Sequence, residues 1–326
     1  MCKGAKQEIT LELAKYFLNG LLTFDLEPEE IENLTWDQQE EFLTLTINSS
    51  KFTKYPMNNE FCRLFLKKII NILQDKQDIH DDIYNYLCTS MSGKNNEYYY
   101  RHYVIYKNLE NTVIIRETKN MVVDGTTGLR TWEAAFMLCD WALCNKNLFS
   151  GKNILELGSG VGFTGITMFK YCNIKSMMMT DHHLDVLKTI DHNISINVPN
   201  MIRESSHDFI YKEGEKSIGA IMLDWTHADV IPKDLVPDIV IGADIVYDPS
   251  ILQPLCDVFQ VFFKRKQHLE IYIASVIRNE DTFNKFKKTL RASSYNFERI
   301  PFSENINLNW NSNINGCLLK ITKTSC

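Results

Sequence analysis

The segment Ile154-Leu155-Glu156-Leu157 is an apolar run that carries one acid and passes straight into a glycine-rich turn, Gly158-Ser159-Gly160-Val161-Gly162. Phe163-Thr164-Gly165-Ile166-Thr167-Met168-Phe169 follows and reads as the start of a helix. A strand, a glycine turn and a helix in that order bring backbone N–H groups up against a nucleotide-like ligand. Glycine is needed where φ is positive or where a side chain would collide with that ligand. The stretch therefore fixes the local fold and the kind of molecule held.

Two registers compete for the ligand. Gly160 to Gly165 fits G-x-G-x-x-G, with Asp181 at about the ~20-residue spacing of a dinucleotide site. That register leaves Gly158 and Ser159 inside the strand end, where both are poor strand formers. If the turn begins at Gly158, the pattern is E-x-G-x-G-x-G, as in class I S-adenosylmethionine methyltransferases. Glu156 then stands toward the cationic amino-acid end of S-adenosylmethionine, whereas it would repel a diphosphate. A dinucleotide oxidoreductase stays open as the alternative, as does a structural glycine turn without ligand.

The chain has 326 residues, 44% of them hydrophobic, enough for one large domain and an extra unit. A net charge of −6, without long blocks of one sign, argues against nonspecific nucleic-acid binding. The sequence shows no apolar run of ~18 residues and no signal-peptide pattern, so a cytoplasmic protein without a membrane partner is expected. The nine cysteines form no C-x-x-C pair and read as reduced, mostly buried thiols. His182, His183, His192 and His207 lack metal-ligand spacing and read as surface residues, so no metal is expected.

Residues 8 to about 91 read as a helical unit. Leu11, Leu13, Phe17, Leu18, Leu21 and Leu22 mark one apolar face, and Phe61, Leu64, Phe65, Ile69, Ile72 and Leu73 a second. A third helix is read over 79–91. Polar Ser92-Gly93-Lys94-Asn95-Asn96 marks the boundary, dividing the chain into 1–94, a helical unit suited to substrate recognition or to scaffolding, and 95–326. A β-hairpin is expected over 98–107 and 112–118. A loop over 124–130 follows, then a helix over 132–144 capped by Thr131.

Strands are expected at 153–157, 175–180, 218–224, 238–244 and 270–277, with helices at 163–172, 183–197, 250–264 and 281–292. That alternation implies a parallel sheet covered on both faces. Two further strands, 295–302 and 314–322, have no helix between them and should pair antiparallel. The fold class is α/β: a Rossmann-like seven-stranded class I methyltransferase sheet with a reversed C-terminal hairpin, plus the N-terminal helical unit.

Three strand ends carry candidate chemistry. Asp181 can accept both ribose hydroxyls of an adenosine, or cap the next helix. Trp225 would be covered by an adenine ring, with Asp224 near its amino group, or would pack under a loop. In Ile239-Val240-Ile241-Gly242-Ala243-Asp244-Ile245-Val246-Tyr247, the small Gly242 and Ala243 leave room for a ligand. Asp244 and Tyr247 could accept N–H bonds from an attacking amine, which must be neutral although free lysine has a pKa near ~10.4. Asp244 could instead cap the helix after Pro249. Trp132 is either a donor-edge residue or core.

Thr126-Thr127-Gly128-Leu129-Arg130-Thr131-Trp132, Glu156 to Gly162, Leu223-Asp224-Trp225 and Asp244-Ile245-Val246-Tyr247 together resemble the seven-β-strand protein-lysine methyltransferases with a D-x-x-Y motif. Within that family the helical unit and the T-T-G-L-x-T-W segment are most similar to members acting on elongation factor 2. The resemblance implies S-adenosylmethionine contacts at Trp132, Gly158, Gly160, Asp181, Trp225 and Ala243. Glu156 and Ser159 of the turn complete the expected donor set. It implies a lysine pocket shaped by Asp244 and Tyr247 as catalytic residues, and a protein substrate, elongation factor 2. A noncatalytic scaffold that only binds the donor is the remaining alternative.

Overall fold

The computed structural model describes residues 2–90, 97–120, 126–204, 209–302, 304–311 and 313–324, with side chains from residue 8 onward. The expected boundary at 92–96, Asp124 and Gly125 of the loop, Met91, His207 and Cys326 lie outside these residues. The chain forms two compact units, Met1–Asn120 and Met121–Cys326.

The first unit holds α1 (Cys2–Leu18), α2 (Pro28–Asn33), α3 (Trp36–Leu45), α4 (Ser50–Lys54), α5 (Asn59–Leu73) and α6 (Asp81–Ser90), then the hairpin β1 (Tyr98–Val104) and β2 (Thr112–Thr118). Phe17, Phe42 and Phe65 meet at its centre, Phe17 edge-on to both others. The apolar faces differ in detail from the sequence reading. Helix α1 ends at Leu18, so Leu21 and Leu22 lie beyond it, and Leu64 is half exposed while Cys62 and Leu66 are buried.

The hairpin packs with the helices of this unit. Val104 is part of the helical core. Arg101 Nη2 donates to the Asn19 carbonyl (2.9 Å), and Tyr100 N–H to that of Pro56 (3.1 Å). His102 contacts the Tyr55 carbonyl at 2.7 Å, and burial pushes its imidazole down to about 4.

In the second unit, α7 (Glu133–Cys144) and α8 (Lys146–Phe149) precede β3 (Asn153–Leu157), α9 (Phe163–Tyr171), β4 (Ser176–Asp181) and α10 (Leu184–Asn197). Then come β5 (Ile202–Arg203), β6 (Phe209–Glu213), β7 (Lys216–Met222), a short 3₁₀ turn (Trp225–Val230), β8 (Ile239–Ala243), α11 (Leu252–Arg265), β9 (Glu270–Val276), α12 (Glu280–Ala292), β10 (Tyr295–Arg299) and β11 (Gly316–Lys323).

The sheet order is β10-β11-β9-β8-β3-β4-β7-β6-β5. Strands β3, β4, β7, β8 and β9 are mutually parallel, and β11 enters antiparallel between β9 and β10, giving the expected reversed hairpin. All seven expected strands are present. The sheet nonetheless has nine, because β6 turns back on β7 at Gly214 and β5 pairs with β6.

One face buries Phe259, Phe262 and Phe286 from α11 and α12 against Leu155, Val240 and Ile271. Helix α7 is buried along almost its whole length, as its Ala-Phe-Met-Leu-Cys sequence requires. Its one buried acid, Asp140, accepts from Ile306 N–H (3.0 Å), Asn307 N–H (2.7 Å), Asn307 Nδ2 (3.1 Å) and Trp310 Nε1 (3.2 Å). That carboxylate pins the loop between β10 and β11.

Candidate active site

A cavity of about 300 Å³ opens at the carboxyl edge of the parallel strands. It gathers eight of the expected site residues: Trp132, Gly158, Gly160, Asp181, Trp225, Ala243, Asp244 and Tyr247. They come from the ends of β3, β4, β7 and β8 and from the segment leading into α7. This is the edge at which open α/β sheets bind their ligands.

The turn after β3 is built on positive φ. Gly158 has φ +61, and a Cβ there would sit 2.7 Å from Ile245 Cγ2 and 3.5 Å from the Trp225 ring. A Cβ on Gly160 would lie 3.0 Å from the Gly128 carbonyl. The main chain of the turn thus lines the cavity with no side chain between it and the ligand space.

Two expected donor residues do not reach that space. Glu156 is 1% exposed, and its Oε2 accepts the Gly165 N–H at 3.1 Å from the first turn of α9. A Cβ on Gly165 would come within 2.8 Å of that oxygen, so the third glycine of G-x-G-x-x-G here makes room for Glu156 and Met179. Ser159 also faces the sheet. Its hydroxyl accepts the Thr180 N–H (3.1 Å), and its own N–H donates to the Thr180 carbonyl (2.8 Å). Both residues brace the turn from below; neither lines the cavity.

Burial pushes the Glu156 carboxyl up to about 7, against hydrogen bonds from Ser159, Thr164 and Gly165 that lower it. The folded state therefore holds a proton that the unfolded chain, at its ordinary 4.5, gives up. Stability from this group is fully present below pH 4.5 and is lost as pH rises through about 7. Glu156→Gln should remove that loss. Its melting temperature is expected to gain on the wild type between pH 5 and pH 8, by an amount worth up to ~3 kcal/mol. Parallel melting curves for the two proteins across that range would show that Glu156 stays ionised.

Asp181 ends β4 with 9% exposure. Oδ2 accepts the Gly160 N–H (3.3 Å), while Oδ1 accepts those of His182 (2.9 Å) and His183 (3.3 Å). The cap of α10 is His183, which accepts from Asp185 N–H, so Asp181 is left to the turn and the cavity. Asp224 accepts from both the N–H and the hydroxyl of Thr226, turning Trp225 into the cavity.

At the end of β8, Ala243 lines the cavity as expected, but Gly242 plays a different part. A Cβ on Gly242 would meet Ile245 Cδ1 at 2.6 Å, so the space it leaves is filled by Ile245 and not by ligand. Asp244 follows with φ +56. Its Oδ1 accepts the Val276 N–H (2.9 Å), and its Oδ2 accepts from Arg278 Nη2 (3.1 Å) and, at 3.5 Å, from the Ala134 N–H. The helix it caps is α7, not the one after Pro249. Tyr247 is 63% exposed on the cavity rim.

Trp132, not Thr131, is the N-cap residue of α7. Its indole N–H donates to the Thr127 carbonyl (3.1 Å), and the guanidinium groups of Arg130 and Arg278 lie 5.1 and 5.3 Å from its ring.

Sequence reasoning missed Ile251 and Pro254 in the lining, and Arg278 behind it. Ile251 and Pro254 were legible only as helix residues. Arg278 stands just past the end of β9 and carries no local signal of its own. Among the described lining residues are three aspartates, Asp181, Asp224 and Asp244, and no lysine or arginine.

The family described as lysine methyltransferase matches residues 109–292. The chain belongs to the lysine methyltransferase family. Human protein-lysine N-methyltransferase EEF2KMT is 27% identical over 290 residues, 86% of this chain and 85% of that protein. Protein-lysine N-methyltransferase EFM3 of Saccharomyces cerevisiae is 29% identical over 237 residues, 68% of this chain and 66% of that one. Among solved structures, ribosomal protein L11 methylase from Lactobacillus delbrueckii subsp. bulgaricus overlaps with a TM-score of 0.37 at 14% identity, over 58% of this chain and 78% of that chain. As a lysine methyltransferase, the protein transfers a methyl group from S-adenosylmethionine to a lysine of a protein substrate. No helix among the described residues is long and apolar enough to cross a membrane.

Proposed function

We propose that the cavity at the strand edge holds S-adenosylmethionine and that the lysine methylated belongs to elongation factor 2, in the cytoplasm. The observation that carries the donor assignment is the charge of the wall. Arg278 pairs with Asp244 from behind, but Asp181 and Asp224 have no lysine or arginine against them among the described residues, and a wall that stays negative suits a ligand bearing an ammonium and a sulfonium and would repel the diphosphate of a dinucleotide. Gly158 and Gly160 keep the turn bare, Asp181 keeps about one acceptor position for a ribose hydroxyl beside the three N–H groups it holds, and Trp225 offers a face for adenine. When bound, the donor supplies a methyl group already activated on its sulfonium.

What the chain itself must do is hold a neutral amine in line. Asp244 and Tyr247 stand on one loop at the cavity mouth and can accept or share the amine N–H bonds. Exclusion of water beside a cation lowers the lysine pKa, and most of the rate then comes from positioning. Elongation factor 2 as acceptor is supported by the likeness of the helical unit and the T-T-G-L-x-T-W segment to members acting on it. The name of the human relative, protein-lysine N-methyltransferase EEF2KMT, agrees. The helices and hairpin of the first unit, with a cavity of about 760 Å³, fit a role in recognising a large folded substrate.

Incubation with labelled S-adenosylmethionine and purified elongation factor 2 should label one lysine-bearing peptide, identified by mass spectrometry. An unlabelled factor beside another labelled protein in cell extract would overturn the acceptor assignment. Tyr247→Phe separates the roles within the site. An exposed hydroxyl contributes little to the fold, so the melting temperature and donor affinity should not change. Turnover should fall about tenfold, the equivalent of one ~1.4 kcal/mol hydrogen bond made to the acceptor in the transition state. A variant with full kcat would remove Tyr247 from the mechanism.

A further inference from the structure

We propose that Arg278 is a positioning residue of the acceptor side, fixing the Asp244 carboxylate and the Trp132 wall as one assembly. This inference rests on the reading that Asp244 meets the lysine amine. One nitrogen of Arg278, Nη2, donates to both Glu133 Oε2 (2.7 Å) and Asp244 Oδ2 (3.1 Å). Glu133 is the first residue of α7 and Asp244 follows the last residue of β8, so the guanidinium joins two elements that meet nowhere in sequence. Its carbon lies 5.3 Å from the centre of the Trp132 ring, within reach of a cation–π contact. Trp132 and Asp244 both line the cavity, whereas Arg278 does not.

The consequence concerns lone pairs. An ionised carboxylate offers about four acceptor positions. Val276 N–H and Arg278 each occupy one, and Ala134 N–H leans on a third at 3.5 Å. About one position is left for an incoming amine. A carboxylate with one open position accepts a single N–H from one direction, which aims the nitrogen lone pair. Without Arg278 a second position opens on Oδ2, and the amine can bind in more than one orientation. Ground-state binding would survive this, but alignment with the methyl group would not. The loss should therefore appear in kcat.

Arg278 is half exposed, so its removal should not unfold the protein. The test compares the full-length wild type with Arg278→Met and Arg278→Lys on elongation factor 2. Arg278→Met should lower kcat ten- to a hundredfold. KM for the factor, the donor dissociation constant by calorimetry and the melting temperature should each stay near the wild-type value, the two constants within threefold. Arg278→Lys keeps a cation that can bridge the two carboxylates, and should recover kcat to within about tenfold of wild type. An unchanged kcat in Arg278→Met overturns the inference. So does a fall in kcat matched by equal losses of donor affinity and melting temperature that lysine does not repair, since that pattern marks a structural brace. If the wild type leaves the factor unlabelled, the acceptor assignment fails on its own. The same three proteins are then scored on whichever extract protein the wild type labels.

Discussion

Gly158→Val should leave no measurable S-adenosylmethionine binding by calorimetry, a loss of at least a hundredfold, or ~2.7 kcal/mol. Two costs coincide at this position. A side-chain residue held at φ +61 carries roughly 1–2 kcal/mol of backbone strain, and a branched one more. The new Cβ would also press on Ile245 Cγ2, 2.7 Å away, and on the Trp225 ring at 3.5 Å. Ile245 has nowhere to go, because its other branch already fills the space over Gly242. Overpacking of that kind costs about 1–3 kcal/mol and moves the atoms that bound the cavity. Gly151→Ala is the matched control. Its φ is +69 with nothing within 4 Å of the added carbon, so it carries the strain without the crowding. It should lower stability by about 1 kcal/mol and leave donor affinity alone. Donor binding by Gly158→Val within threefold of wild type would show that the turn does not touch the ligand.

Asp140→Ala should cost about 3–5 kcal/mol of stability, read as a melting temperature lower by roughly 6–20 °C for a domain of this size. The carboxylate is fully buried and takes four N–H donors from residues 306–310. Alanine leaves those donors without a partner, each at a cost of about 1–3 kcal/mol if it stays buried. The loop will instead swing out, and Trp310, 9% exposed in the native chain, should show red-shifted emission. Since no donor-site residue bonds to Asp140, affinity for S-adenosylmethionine should remain within about threefold. A shift of less than 2 °C would mean that water replaces the carboxylate.

The strand-turn-helix around Gly158 and the alternation that follows are legible because period and punctuation agree there. Buried strands read as apolar runs, glycines sit where φ is positive, and each expected strand lies within a few residues of its place. The cavity wall is legible for the same reason, since strand ends are where a parallel sheet exposes side chains. Glu156 and Ser159 read as ligand residues from the sequence, since proximity along the chain does not tell which side of a turn a side chain faces. The carboxylate turned inward, toward the N–H groups at the start of α9. Gly242 reads as leaving room for a ligand, yet a missing side chain shows only that something comes close. Here that neighbour is Ile245, three residues on. Short α2 and α4 and the edge strands β5 and β6 offer too few turns or alternations for a period, although Pro28 after Glu27 and Gly214 before β7 are local signals. Arg278 needed the tertiary structure, because its partners lie 145 and 34 positions away.

Helix α7 is fastened near both ends. Its first turn is tied to Asp244 and Arg278, and two turns further on Asp140 grips the loop between β10 and β11. Over that span, about 10 Å at 1.5 Å per residue, the helix behaves as a rod. The loop between β10 and β11 and the first turn that faces the cavity are thus anchored on one helix, which gives this side of the unit a single stiff spine.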